Sequence, residues 1–487
     1  MTTNRVLLGE WLPDQSDSTG QPSNNLEMAF NVYPSSTGYA PFPKISQITV
    51  DMPDGKDVTG MLSARQNEQI IAIAGTESHI YKGNNIIRAN RVSSNLSDIS
   101  RSGGYSPPRI NWKFLQFGKA ILGTNGTNKI QRYDITGDSR FSDISEAPVC
   151  RTMAIVRDFC FAGYCDAISN KVQWSDLNNE EKWVSADTNQ ADFQILPSGG
   201  EIKAITGGEF GLILQDKAVQ RVSYIGTPLI FQFDLISDNT GCLTGSSAIQ
   251  HNGITYWLSE EGLMSCDGTS VVNIGNGKVN KWLFDEIDKT RIDTTSVAID
   301  PLKNLVVWDF PTSSTNRLLV KYNYSTGRFS TGITTAQVLS GLVTQGESLD
   351  SLDTNYPILD DMPISLDSNL FIGGQFAFCG AEGSHIVAFN LIPETCYLTT
   401  NDMEFGQFSV ATLAMPIVEN GSADFQIASR NSLNGNIEFS NRSVSSDENR
   451  ADLRSGGKYH RVRMHPTGVK WSNAVGFDLE VTPQGSR

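Results

Sequence analysis

Nowhere does the chain hold about 18 consecutive apolar residues, and its first residues, MTTNRVLLGEW, lack a basic stretch followed by an apolar one. Neither a membrane-spanning helix nor a secretory leader is therefore expected. Sustained 3.6-residue periodicity is almost absent, which removes helical bundles. The HExxH zinc motif, the Gly-Lys-Ser/Thr phosphate loop and the GxSxG nucleophile turn are all missing. The five histidines stand apart from one another. Seven cysteines (150, 160, 165, 242, 266, 379 and 396) form no metal-ligand spacing, and an odd number cannot pair completely, so reduced, buried thiols are expected. Cys160 and Cys165 have no second pair with which to hold zinc. Positive charge is also scarce: 38 Lys and Arg face 53 Asp and Glu, a net charge of −15. The excess sits in residues 1–395, where 29 basic groups face 43 acidic ones, whereas residues 396–487 are nearly balanced at 9 against 10. Such a chain is not built to grip nucleic acid through its phosphates.

What is present is β chemistry. Gly, Val, Ile, Thr and Tyr recur in short runs, and 487 residues leave room for several domains or one large repeat architecture. Residues 1–57 read as an extended arm: Pro13, Pro22, Pro34, Pro41, Pro43 and Pro53 break any long element, while Trp11, Phe30, Tyr33, Tyr39 and Phe42 supply anchors to a folded body.

From residue 58 a unit repeats, opening near Gly60, Asn111, Thr152, Ile202, Ser247, Ser296 and Leu339. Each unit has a first strand, a turn, an apolar second strand and a third strand. The second strands, Ile70–Ala74, Lys119–Gly123, Phe159–Ala162, Gly211–Leu214, Ile254–Leu258 and Leu305–Trp308, are apolar throughout, as strands covered on both faces must be. A β-meander repeating every ~40–50 residues is the mark of propeller blades. Residues 58–395 are thus expected to form a six- or seven-bladed β-propeller with inserted loops, and Asn280–Ile287 a short helix between the fifth and sixth blades. Residues 396–487 alternate cleanly, with Phe425 and Ile427, Ile437 and Phe439, Val462 and Met464, and Phe477, Leu479 and Val481 each on one face, which predicts a C-terminal β-sandwich. Were the two last strands neighbours, Arg461 and Arg463 would pair with Asp478 and Glu480 across the ladder.

No catalytic constellation emerges, and no cofactor or metal is expected. Asp234, Asp300 and Asp309 follow apolar strands, where turn formation accounts for them. Gly275-Asn276-Gly277-Lys278 reads as a hairpin turn and Gly207-Gly208 as turn geometry. The acidic loop carrying Asp350, Asp353, Asp360 and Asp361 lacks the glycine-punctuated spacing of a calcium loop and reads as solvated. The Ser-x-Asp-x-Gly-x-Thr-Trp box of sialidase-type propellers is absent, which weighs against a carbohydrate-binding or glycan-cleaving propeller that recognises a host surface, the chief alternative.

Several phrases carry a resemblance along most of the chain: Asn31-Val32-Tyr33-Pro34 with Gly38-Tyr39 and Pro41-Phe42-Pro43, Val172-Gln173-Trp174-Ser175, Gly207-Gly208-Glu209-Phe210-Gly211, Pro228–Phe233, Ser259-Glu260-Glu261-Gly262, Lys278–Trp282, Ser365-Leu366-Asp367-Ser368 and Gly457–Arg463. In content and order they resemble the packaged-DNA-stabilisation proteins, the tail hub or nozzle, of short-tailed bacteriophages and related prophages. The resemblance implies a non-enzymatic propeller subunit in a hexameric ring below the portal. Its implied partners are the head-to-tail adaptor and tail fibre, spike or needle proteins, with packaged double-stranded DNA passing through without specific binding. The implied location is the virion tail, after assembly in the host bacterial cytoplasm. Trp11, Tyr39, Tyr459, His460, Arg461 and Arg463 are the candidate contacts to other subunits or tail partners.

Overall fold

The computed structural model describes residues 2–15, 24–67, 69–83, 93, 96–344, 374–393, 395–446 and 448–484. The acidic loop with Asp350, Asp353, Asp360 and Asp361 lies outside them.

The centre of the molecule is a β-propeller. Its innermost strands are Gly60–Gln66, Lys113–Phe117, Thr152–Val156, Ile202–Thr206, Ile249–His251, Ser296–Asp300 and Val338–Val343, and residues from all seven line one axial cavity. Six four-stranded antiparallel sheets stand as separate blades. The seventh set, which opens at Ser296, is also four-stranded, but its outer strand Arg328–Thr334 continues through Leu26–Phe30 into a thirteen-stranded sheet. The expected opening positions fall within two residues of these strands because the signal behind them is physical. The second strands Ala120–Thr124, Gly211–Gln215 and Leu305–Phe310 are buried at every position between two neighbouring blades, and Phe159–Cys165 and Ile254–Ser259 at all but one.

Neighbouring blades approach backbone to backbone. A Cβ on Gly207 would lie 1.8 Å from the carbonyl oxygen of Ile155, and one on Gly245 would lie 1.9 Å from that of Lys203. Gly207 thus serves close approach between blades, not the turn expected of it; the turn belongs to Gly208, at φ +119°. Polar side chains stitch the inner strands together: the Ile205 N–H donates to Thr152 Oγ1 at 3.1 Å, and the Leu339 N–H to Ser296 Oγ at 2.8 Å.

The blade whose inner strand is Val338–Val343 takes its outer strand from the other end of the chain. Lys44–Gln47 of the arm pairs antiparallel with His385–Leu391 and so closes the ring. The rest of the arm is woven in as well. Thr2–Leu7 pairs with Asn473–Pro483, and Leu26–Phe30 pairs with Tyr397–Thr400. Asp14 accepts hydrogen bonds from the N–H groups of Lys281 and Trp282, at 2.9 and 2.8 Å, satisfying two of the open donors of the helix Asn280–Glu286. The expected hairpin turn at Gly275–Lys278 is instead the lead into that helix.

The C-terminal region corrects the sequence reading in three respects. Its strands Met403–Glu419, Ser422–Arg430, Ala451–Thr467 and Asn473–Pro483 belong to one hydrogen-bonded sheet, not to two. That sheet folds over on itself: Phe425 and Phe477, on strands separated by two others, meet edge to face with ring centroids 5.5 Å apart. Strands of 17 residues accumulate enough twist to bring their faces together. Secondly, Met403–Glu419 lies between the two last strands, so Arg461 and Arg463 cannot pair with Asp478 and Glu480. Thirdly, Ile437 and Phe439 are not in a strand, and Ile437 is exposed. Phe425, Ile427, Val462, Met464, Phe477, Leu479 and Val481 are all buried, as their alternation requires.

Candidate functional site

Four of the six residues expected to face a partner lie inside the chain's own fold. Trp11 has no exposed surface; its indole N–H donates to the Glu27 carbonyl at 2.8 Å and its ring meets Trp282 edge to face at 4.7 Å. Tyr39 is equally buried, its hydroxyl donating to the Gly9 carbonyl at 3.0 Å, and burial pushes its phenol up to about 12. The amphipathic rings that read as sticky are the arm's own anchors.

His460 is sealed beneath the C-terminal sheet between two hydroxyls, Ser409 at 2.9 Å and Ser429 at 2.7 Å, and burial lowers its pKa. A serine beside a histidine invites a catalytic reading, but the pair is buried and lines neither cavity of the propeller axis. Arg461, 2% exposed, holds Asp402 at 3.0 Å and Glu27 of the arm at 2.5 Å, so it clamps arm to sheet. Arg463 lies over the rings of Phe439 and Tyr397, at 4.1 and 4.8 Å, and donates to Thr399. Of this group only Arg463 and Tyr459 keep partial exposure.

The described residues contain no group of three or more His, Cys, Asp or Glu placed to hold a metal, and all seven cysteines are buried and unpaired. Asp300 makes the expected turn, accepting from the N–H groups of Leu302 and Lys303. Asp309 does not: it is fully buried in an ion pair with Arg317 at 2.6 Å, and desolvation pushes its carboxyl up to about 7 although Arg317 pulls the other way.

The place where polar groups converge is the propeller axis, at the end where the inner strands begin. The axial cavity of about 470 Å³ is walled by those strands, with Met61, Ile205, Ile249 and Leu339 among the apolar lining. Above it opens a second cavity of about 450 Å³, formed by the segments that lead into the second to sixth inner strands. Lys113 lines both. From the first position of the second blade its ammonium reaches the carbonyl of Gly245, which leads into the fifth blade, at 3.2 Å. It thus spans the bore. Burial pulls its pKa down, and no carboxylate among the described residues is in ion-pair contact with it.

Around Lys113 the mouth carries Arg109, Arg151 and Lys203 against Glu201 and Asp293. Glu201 is shared by Arg151 at 3.1 Å and Lys203 at 3.6 Å, and Lys203 also holds Asp216 at 3.1 Å. Sequence reasoning missed this site because no lead-in supplies more than two charged residues. A usable signal existed: Arg151 and Glu201 each stand immediately before an inner strand, and Arg109 and Asp293 a few residues ahead of one.

No family model and no curated protein matches the chain. Among solved structures it is similar to the WD40 domain of Pan2 from Neurospora crassa, at 10% identity over 71% of this chain and 94% of that one, with a TM-score of 0.40. It is also similar to apo AztD from Citrobacter koseri, at 11% identity over 63% and 89%, with a TM-score of 0.31. Likeness at this level says nothing of activity or partners.

Proposed function

We propose that the protein is a non-enzymatic structural subunit of a short-tailed phage tail, joining further copies of itself in a ring that extends the portal and adaptor channel, retains packaged DNA and conducts it on ejection. The ordered phrases from Asn31–Pro34 to Gly457–Arg463 support the family resemblance. The structural observation that carries the reading is the open outer edge of the third and fourth blades. There Phe193, Ile195, Ile225, Leu229 and Leu235 are 49%, 45%, 47%, 71% and 54% exposed. Isolated exposed apolar residues are ordinary. Three on the outer strands of adjacent blades, Phe193, Ile195 and Leu235, with Ile225 and Leu229 flanking the turn into the edge strand Ile230–Ser237, whose backbone is unpaired on one side, suit burial against a second copy.

The conduit in this reading runs between subunits. The axial cavity of about 470 Å³ is no passage for a duplex, and Lys113 crosses it. A net charge of −15 favours a lumen with few fixed cations, on which DNA slides without a phosphate partner.

The test is to mix the protein with the purified adaptor and image the product. A closed ring is expected, lost in Leu229→Glu/Leu235→Glu although that variant keeps its circular dichroism spectrum. Particles assembled without the protein should leak DNA. A single subunit that never joins the adaptor or its own copies overturns the reading, and a lumen lined with Lys and Arg overturns the sliding argument.

A further inference from the structure

We propose that the mouth of the propeller axis binds a small organic anion: one carboxylate or phosphate group on a hydroxylated body about the size of a sugar ring, with the Lys113 ammonium as its charge partner. Three observations converge there. The cavity of about 450 Å³ is open on one side and falls within the size range of small-molecule sites. Its floor is a lysine that has three donors and uses one, on the Gly245 carbonyl. A half-buried ammonium with no carboxylate in contact is left short of charge partners, and an anion entering from the mouth supplies one.

The second observation is charge. The four cations of the mouth face two carboxylates of its lining, with Asp216 behind Lys203 as a third, in a chain whose net charge is −15. Glu201 is already engaged by Arg151 and Lys203, while Arg109 has no carboxylate partner among the described residues. Positive potential therefore gathers at one concave spot of an acidic molecule, an arrangement that concentrates anions. The third is the surrounding polarity. Asn111 lines the cavity, and the Thr244 and Ser246 hydroxyls stand 2.9 Å apart on the opposite side, bonded to each other. An amide and paired hydroxyls suit a ligand body carrying hydroxyl groups, and the space exceeds what a bare phosphate fills. The inference does not depend on ring formation; ligand binding and assembly are separate measurements.

The test is calorimetric titration of the full chain with D-glucuronate, D-glucose 6-phosphate, inorganic phosphate and neutral D-glucose, at up to about 10 mM. At least one of the two anionic sugars is expected to bind, and glucose is not. Lys113→Met should weaken binding by roughly tenfold or more while the melting temperature holds or rises, since a half-buried charge without a carboxylate partner is removed. Arg109→Gln, on the exposed rim, should weaken it severalfold with melting unchanged. Failure of both anionic sugars to bind, equal binding of glucose, or unaltered binding by Lys113→Met overturns the proposal. Inorganic phosphate binding as tightly as the sugar phosphate overturns the organic body.

Discussion

The propeller and the C-terminal sheet bury the same kinds of residue by opposite routes. In the blades between Lys113 and Asn273, every strand pairs with one next to it in sequence. In the C-terminal sheet most pairs join distant segments: Thr2–Leu7 to Asn473–Pro483, Leu26–Phe30 to Tyr397–Thr400, Met403–Glu419 to Ala451–Thr467. The blades hold themselves; the sheet is held by the arm. Where the pairing is remote, buried charge does the fastening, as Arg461 does between Asp402 and Glu27. Close backbone approach serves both regions, at Gly207 and Gly245 between blades and at Gly38 and Gly476 between arm and sheet.

The comparison breaks most completely if the arm is removed. Deleting residues 2–47 takes away the outer strand that closes the ring and the edge strand of the C-terminal sheet, and it uncovers the core around Trp282. Limited proteolysis should then cut residues 396–484 within the time that leaves residues 113–237 intact. Equal resistance of the two regions would mean that the arm is ornamental.

Next comes Arg461→Met, which leaves Asp402 buried with one guanidinium partner fewer and should cost about 3–5 kcal/mol, read from denaturant unfolding. A neutral result would assign the clamp to Arg430, which also pairs with Asp402.

A smaller effect separates the regions by pH. Folded Asp309 keeps its proton to about pH 7, whereas the unfolded chain releases it near ~4. The unfolded state thus binds fewer protons in that window, and stability falls as pH rises through it, by up to about 1.4 kcal/mol per pH unit. Asp309→Asn should flatten that slope while lowering stability overall. His465, in the C-terminal sheet, acts in the opposite sense. Burial, with Arg442 and Arg463 nearby, holds its imidazole down to about 4, so the unfolded chain protonates first, near ~6.5, and stability falls as pH drops from there to about 4. Partial solvent access limits this to on the order of 1 kcal/mol, and His465→Gln should remove it. Slopes of the same sign in both variants would end the contrast.

The smallest change is Arg5→Ala. Its pair with Asp478 at 2.9 Å fastens arm to sheet but stands in solvent, so melting should shift barely measurably, and less still in high salt.

The sequence shows the inner and second strands because they are apolar, short and punctuated by glycine. It hides most outer strands: Ser142–Asp143 and Asp192–Ile195 are exposed throughout, so no burial pattern marks them. It also hides partners. Lys44–Gln47 reads as irregular arm, and only tertiary geometry makes it a blade edge. Aromatic and charged residues of the arm and the last strands advertise contact without saying with what; for Trp11, Tyr39 and Arg461 the answer is the chain itself. At the axial mouth the rim charges left a signal, but Lys113 was hidden for a related reason. Lys113 opens the run KFLQF as an ordinary alternating strand residue, and nothing local says that it points across a bore.

The origin of that closing strand has a consequence for how the protein is made. Lys44–Gln47 leaves the ribosome early, whereas its partner His385–Leu391 follows after some 340 further residues; at ~5–20 residues per second that interval is roughly 20–70 s. Throughout it the growing propeller has no closed circumference, and a β-competent arm waits beside blades that can already fold. A strand in that position is a template for the wrong neighbour, including another nascent copy. The prolines at 41 and 43, just ahead of it, lack the N–H groups that such a mispaired ladder would need. The arm is therefore timed as well as placed: a part written before the blades becomes one of the last parts read into the fold.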